Sequence, residues 1–343
     1  MAVKTNIELI EELRSEWTLL LSQSKNNNLF LSWEWVNSWC QNMLNRSMKQ
    51  LIVTVRNNKG LIGLAPLVHV QLEGRLNQIQ FIGQKYSYHL GFVAKAGKEK
   101  KVYKAIWNYL LYNIDIDFQS IEFLHFDENG LLNATLDKVQ KKINFSYERS
   151  VQNPCKVIYL GNSVEDYLHT QITSKNVMRN IFREKKRMSN NHKIEFFDAK
   201  LNNFSYYWEQ MISFHRELMD ERKKHSALSR DDFTNHLKQV AETFLETDRL
   251  QLNIMSIDDE PAVICFCIVY NLVYNGLTIG VSFQMLKKFP WFNLTIQSII
   301  HNIEKAIQNG CKVFDLLGGQ NEFKNKLGGV DQGGIKYKIG FMK

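Results

Sequence analysis

The sequence predicts a mixed α/β (α+β) chain of two tandem domains, each a mixed central sheet flanked by helices. Three observations carry this. An order of helix, helix, three strands, helix, strand occurs twice, with matching elements about 190 to 200 residues apart. The 343 residues suffice for two cores of ordinary size. No long flexible linker interrupts the chain, so the halves are expected to meet near Pro154 and Gly161. The expected domains are 1–160 and 161–343, the second carrying the active site.

In the first half, helical periodicity covers residues 7–21 and 33–44. Strand-like runs follow at 51–56, 61–70 and 76–82, and Asn57, Asn58, Lys59 and Gly60 form a hairpin turn between the first two. Val102, Ile106, Tyr109, Leu110 and Ile114 recur at helical spacing. A strand at 120–126, a helix at about 129–142 and a strand near 156–160 complete this half.

The second half begins with a strand at 193–197 and a helix from Phe204 to about Arg222, apolar at Tyr207, Trp208, Met211, Phe214 and Leu218. A further helix carries Phe233, Leu237, Val240, Ala241 and Phe244. Strands are expected at 250–257, 262–270 and 274–282. The helix that starts near Asn293 turns Ile296, Ile299, Ile300, Ile303 and Ile307 to one face, and Gly310 ends it. Strands at 312–316 and 335–341 close the chain.

With 44% hydrophobic and 23% charged residues, the composition is that of a soluble globular protein. The apolar run 262–270 is too short to cross a bilayer as a helix. Glu8, Glu11, Glu12, Arg14 and Glu16 leave no apolar secretion segment at the start, so a cytoplasmic location is expected. Among the five cysteines, Cys265 and Cys267 lie two apart in a strand and share a face, which reads as core thiols. No metal-ligand spacing, phosphate loop or serine or cysteine nucleophile motif stands out. The net charge of +8 points to a phosphate-bearing partner such as a nucleotide, coenzyme A, tRNA or an anionic lipid.

Two segments carry candidate chemistry. Lys175, Arg179 and Arg183, spaced by four, line one side of a basic helix, either as a solvated face or as a row that meets phosphate. Phe314 and Asp315 end a strand that runs into Gly318 and Gly319, with Phe323 and Lys324 beyond. Ligands collect at such strand ends in α/β sheets, although a carboxylate there also caps turns. His215 offers an imidazole for general-base work, or is a half-buried structural residue of its helix.

The segment FDLLGGQNEFKNKLGG (314–329) resembles the closing signature of the large bacterial GNAT-related acyltransferases of cellulose and envelope polysaccharide synthesis. Those enzymes share a duplicated fold with the Fem transferases. LFLSWEWVNSWC (29–40), LIGLAPL (61–67), SKNVMRNIFREKKRM (174–188) and FHRELMDERKKHS (214–226) are similar to further parts of that family, in the same order. Phe323 and Leu327 depart from its usual tyrosine and larger aromatic.

The resemblance implies an acyltransferase without a metal. It would move an acyl group from acyl-CoA to an amine of a sugar, sugar nucleotide or envelope precursor. His215 and Asp315 would be catalytic. Lys175, Arg179, Arg183, Gln284 and Lys324 would bind substrate, with oxyanion donors among the amides of 281–284. The stretch 283–293 contains no glycine, so Lys287 and Lys288 would meet the cofactor's phosphates as point charges. That departure and the basic helix suit an alternative in which aminoacyl-tRNA is the donor. A third reading is a non-catalytic binding protein of the same fold.

Overall fold

The computed structural model describes residues 3–72, 77–126, 131–140, 145–172, 174–319 and 322–341. Contacts divide the chain into two compact units, Met1–Pro154 with Gly333–Lys343, and Cys155–Gln332. The first unit opens with β1 (Lys4–Glu8), α1 (Arg14–Ser22), α2 (Trp33–Met43), β2 (Met48–Asn57) and β3 (Gly60–Gln71). It continues with β4 (Asn77–Phe81), β5 (Val93–Ala94), α3 (Glu99–Tyr112), β6 (Ser120–Phe126), α4 (Leu131–Gln140) and β7 (Phe145–Val151). The second unit begins with β8 (Cys155–Tyr159), α5 (Val164–Thr170), α6 (Lys175–Ser189), β9 (Ile194–Asp198), α7 (Phe204–Glu221) and α8 (Asp231–Leu245). Then come β10 (Leu250–Ile257), β11 (Glu260–Tyr270), β12 (Val273–Val281), α9 (Phe283–Lys288), α10 (Leu294–Gln308) and β13 (Val313–Asp315). The chain ends through α11 (Glu322–Lys326), β14 (Val330–Gln332) and β15 (Ile335–Phe341).

The sheets run β1-β2-β3-β4-β6-β15-β7, with β5 on β3, and β9-β10-β11-β12-β13-β8-β14. The two orders correspond strand for strand, including the parallel steps β4 with β6 and β12 with β13. Each unit is therefore one copy of the repeated plan. The penultimate strand of each sheet comes from elsewhere in the chain. β15 follows the second repeat but pairs with β6 and β7, and β8 follows the first but pairs with β13 and β14. The expected break at 160/161 accordingly moves to Pro154/Cys155, and residues 333–343 leave the second domain for the first.

Local chemistry explains most boundaries. Asn57 faces Gly60 across the β2–β3 hairpin, and Gly60 takes φ 114° at no steric cost. The expected helix over 7–21 starts only at Arg14: Ile7 pairs with Val53 in β1, and Ile10–Leu13 form a 3-10 turn. Arg56 enforces this, donating to Glu8 and Glu16 at 2.7 Å each and holding both carboxyls below their usual range. The expected strand at 156–160 is β8, and β7 precedes it unanticipated. Residue 76 and both ends of the helix expected at 129–142 lie outside the described residues.

In the first unit, the rings of Phe81, Phe92, Phe123 and Phe126 pack together and against Tyr103 and Tyr337. In the second unit, α10 buries Ile299, Ile303 and Ala306 on the sheet. A buried polar network joins the two: Tyr274 donates to Asn302 Oδ1 at 2.8 Å, and Asn253 donates to both. Cys265 and Cys267 face α10 beside Ser298 and Asn302, as their spacing predicts. All five cysteines are buried free thiols, and burial pushes Cys265 up to about 11. No described helix is long and apolar enough to cross a membrane.

His236, inside α8, is fully buried, and desolvation lowers its pKa from 6.5 to about 3. The unfolded chain therefore binds the extra proton below pH 6.5 while the folded chain resists it. The contribution to stability is complete above pH 6.5 and is lost as pH falls toward about 3. Urea melts at pH 7.5 and pH 5 should differ by on the order of 2 kcal/mol from this group. His236→Leu should flatten that part of the slope; an unchanged slope would contradict the burial argument.

Candidate functional site

The site is organised by two parallel strands that part. β12 and β13 pair only at Val273/Val313, Tyr274/Phe314 and Asn275/Asp315. Beyond Asp315 the chain keeps its other neighbour: Leu316 N–H donates to the Lys156 carbonyl at 2.8 Å, and Lys156 N–H to the Leu317 carbonyl at 3.1 Å. β12 runs on to Val281 without a β13 partner, with a bulge in its β11 pairing where Leu277 is extra. Ser282 N–H donates to Ala262 O at 2.9 Å, so Ala262/Ser282 and Ile264/Gly280 are the hydrogen-bonded pairs with β11. Ile279 and Val281 alternate with them and aim their amides and carbonyls toward the side that β13 has left. This opening lies at the C-terminal ends of parallel strands, where α/β sheets place ligands.

Asp315 and Lys324 build the turn on the far side of the opening. Asp315 is buried at the end of β13, and its Oδ1 accepts the Leu317 amide at 2.8 Å. Leu317 sits at φ 56°, a conformation that a branched side chain adopts only when held there. Lys324 holds it: Nζ donates to the carbonyls of Leu316 (2.8 Å), Leu317 (3.2 Å) and Gly318 (2.6 Å). An ammonium has three donors, and all three are engaged. Burial lowers the Lys324 pKa. The expectation that Lys324 binds substrate is therefore corrected, because its donors staple the turn.

The near side is formed by α7. Gly280 permits its approach, since a Cβ there would lie 2.4 Å from the Met211 carbonyl oxygen. One helical turn beyond Met211, His215 reaches the open edge, with Nδ1 3.0 Å from the Ile279 carbonyl. A carbonyl only accepts, so Nδ1 carries a proton, and Nε2 is the ring nitrogen left to exchange one. Ser226 Oγ lies 2.8 Å from Nε2, within hydrogen-bond reach, while also accepting the Leu228 amide at 3.1 Å. Ser226 was missed in the sequence because eleven residues and a helix end separate it from His215.

The corresponding opening in the first unit is filled. β4 and β6 pair only from Gln78/Ser120 to Gln80/Glu122. Beyond that, the buried Gln84 accepts the Phe81 and Leu124 amides through Oε1, at 3.4 and 3.1 Å. A Leu90–Phe126 bridge and the Phe81–Phe123 ring contact occupy the rest.

The remaining expected residues lie on α6 and α9. Arg179 and Arg183 are exposed on one side of α6, and the Lys175 side chain lies outside the described residues. Val177, Met178 and Ile181 pack inward together with Met188, whereas Phe182, whose spacing places it on the same side, is exposed. The stretch 283–293, expected as a loop, contains the short helix α9, on which Gln284, Lys287 and Lys288 are exposed. Lys287 lies over the Phe283 ring at 4.0 Å and Lys288 over Phe289 at 5.3 Å. Between α7 and α8 runs an open groove of about 970 Å³, lined by Trp208, Ile212, Glu217, Asp220, Glu221 and Asp231 among others.

Residues 175–325 match the family described as Acetyltransferase (GNAT) domain, a span that contains His215, Ser226, Asp315, Lys324 and the strands β12 and β13. Among solved structures the chain is similar to FemX, with a TM-score of 0.68 and 9% identity over 97% of this chain and 96% of that one. It is also similar to a conserved protein of unknown function from Bacteroides thetaiotaomicron VPI-5482 (TM-score 0.63, 11% identity, 99% and 100% covered). L-PGS from Bacillus licheniformis follows with TM-score 0.54 and 10% identity, at 95% and 91% coverage. No curated protein matches the chain. At these identities the likeness is one of fold: two tandem GNAT-like domains.

Replacing Lys324 by Met should leave the carbonyls of 316–318 without their donor and lower stability by about 1–3 kcal/mol, measured by urea melting. Hydrogen exchange should rise in the turn. Unchanged stability with lost activity would instead return Lys324 to the substrate.

Proposed function

We propose that the chain is an N-acyltransferase whose reaction centre is the β12/β13 opening. The observation that carries this is the free strand edge at Ile279 and Val281 with His215 fixed beside it. An extended, amide-bearing arm such as the pantetheine of acyl-CoA suits that edge, adding to it as a further strand and bringing its thioester to the bulge. The acceptor is an amine of a sugar, sugar nucleotide or cell-envelope precursor, and the α7–α8 groove offers it Glu209, Glu217, Asp220 and Glu221, beside Arg216, Lys223 and Lys238.

In this reading the acceptor ammonium gives a proton to Ser226 Oγ as Ser226 passes its own to His215 Nε2. The free amine attacks the acyl carbonyl. The resulting oxyanion takes hydrogen bonds from the Ile279 or Val281 amide. Collapse expels the thiolate, which takes up the second proton as the attacking nitrogen sheds it, and His215 releases the first to solvent. Asp315 acts at one remove, by fixing the turn that holds the strands apart. Gln284 is too exposed on α9 to be assigned a part.

A second reading concerns the donor. The exposed cations of α6, and an α10 N-terminus already occupied by protein, favour aminoacyl-tRNA over acyl-CoA. The chemistry at the opening is the same, with a ribose oxygen as the leaving group.

The test is turnover with a panel of acyl-CoAs and with aminoacyl-tRNA against amino acceptors. His215→Ala should lower kcat by about 10²–10⁴ with KM little changed. Ser226→Ala should lower it by less and shift the pH profile. Full activity in both variants would exclude this centre, and a binding role would take its place.

A further inference from the structure

The C-terminal end of β12 leads through α9 into α10, so the α10 N-terminus is the helix end beside the opening. Helix N-termini draw phosphate because their first amides are unpaired and carry the positive end of the dipole. Here an anion of the chain's own is already seated. Glu184 of α6, half-buried, accepts the Asn293 amide at Oε2, 3.0 Å away. Asn293 is the cap of α10: its Oδ1 accepts the Ile296 amide at 3.1 Å and its carbonyl the Gln297 amide at 3.0 Å. The Leu294 amide turns back to the Phe292 carbonyl at 2.9 Å. Of the amides from 293 to 297, this leaves the Thr295 amide for anything else.

Contacts on either side keep Glu184 in place. One turn before it, the Ile181 carbonyl accepts Gln297 Nε2 at 3.0 Å in a buried contact. One turn after it, the Arg187 guanidinium lies over the Trp291 ring at 3.9 Å. The Arg187 cation is thereby stacked on a ring, and the carboxylate faces the helix end. A diphosphate brought here would meet like charge and find its amide donors taken.

We infer that Glu184 selects the donor, closing the α10 N-terminus to a diphosphate and so discriminating against acyl-CoA. The inference rests on the β12/β13 opening being the reaction centre and takes the second reading of the donor, aminoacyl-tRNA, over acyl-CoA. A donor that passes this selection carries its phosphates elsewhere, toward the exposed arginines of α6.

The experiment is calorimetric titration of inorganic pyrophosphate and of CoA into the intact chain, Glu184→Ala and Glu184→Gln at fixed ionic strength. Glu184→Ala should bind both at least about tenfold more tightly than the unmodified chain. Glu184→Gln should fall between, because its amide oxygen still accepts from Asn293 without the charge. Glu165→Ala, which removes a carboxylate from α5, should change nothing. Equal affinities across the series, or micromolar CoA binding by the unmodified chain that Glu184→Ala does not improve, would overturn the inference. Thermal melting confirms that each variant is folded, and Glu184→Gln keeps the test valid should the alanine variant be impaired. Pyrophosphate is too short to engage the strand edge, so the difference in its binding between Glu184→Ala and the unmodified chain reports on the α10 end. Failure of the opening as reaction centre would appear in the His215 and Ser226 variants instead.

Discussion

Backbone hydrogen bonds must be made somewhere, and the site exists because β13 makes its later ones with β8 rather than β12. After Asp315, Leu316 and Leu317 exchange hydrogen bonds with Lys156, and the outer half of β12 is left with one neighbour. A strand edge inside a covered sheet is unfavourable unless something satisfies it. Part of the demand is met by His215, which donates to the Ile279 carbonyl. The amides of Ile279 and Val281 remain directed into the opening. Around that edge the other features have a single purpose. Gly280 lets α7 come close enough for His215 to reach, and Asp315 with Lys324 holds the diverging turn in a conformation that Leu317 would not keep alone.

The duplicated fold supplies its own control. The first unit repeats the parting at β4 and β6 but closes it with Gln84 and a cluster of phenylalanines. The same geometry thus serves in one unit as core, and in the other leaves the outer half of β12 without a β13 partner. A glutamine oxygen accepting both amides is the kind of substitute that a ligand carbonyl would provide in the second unit. This comparison supports the proposal that the chemistry lies in the second unit, independently of the family match over residues 175–325.

Much of the fold was legible because it depends on local pattern. The strands at 120–126 and 335–341 and the α7 helix appear where periodicity places them. The start of the chain misled because Ile7, Ile10 and Leu13 share a spacing that suits a helix as well as a strand followed by a 3-10 turn. The exchange of β8 and β15 was invisible, since nothing in a strand's own residues names its partner. His215 and Asp315 were visible by residue type and position, and the structure gives each a place at the opening. The part played by Lys324 was not legible: a lysine near a glycine turn looks the same whether it awaits phosphate or binds three carbonyls. Ser226 and Glu184 belong to contacts between distant segments, which local sequence cannot show.

The most direct measurement is residue-resolved hydrogen exchange of β12 in the protein without ligand. If β12 and β13 part as described, the Ile279 and Val281 amides exchange far faster than the Gly280 amide between them, despite lying in the same strand. Alternating protection of this kind has no source in fraying, which would release neighbours together. Equal, strong protection at Ile279, Gly280 and Val281 would mean that the edge is paired, and the proposed reaction centre would be absent.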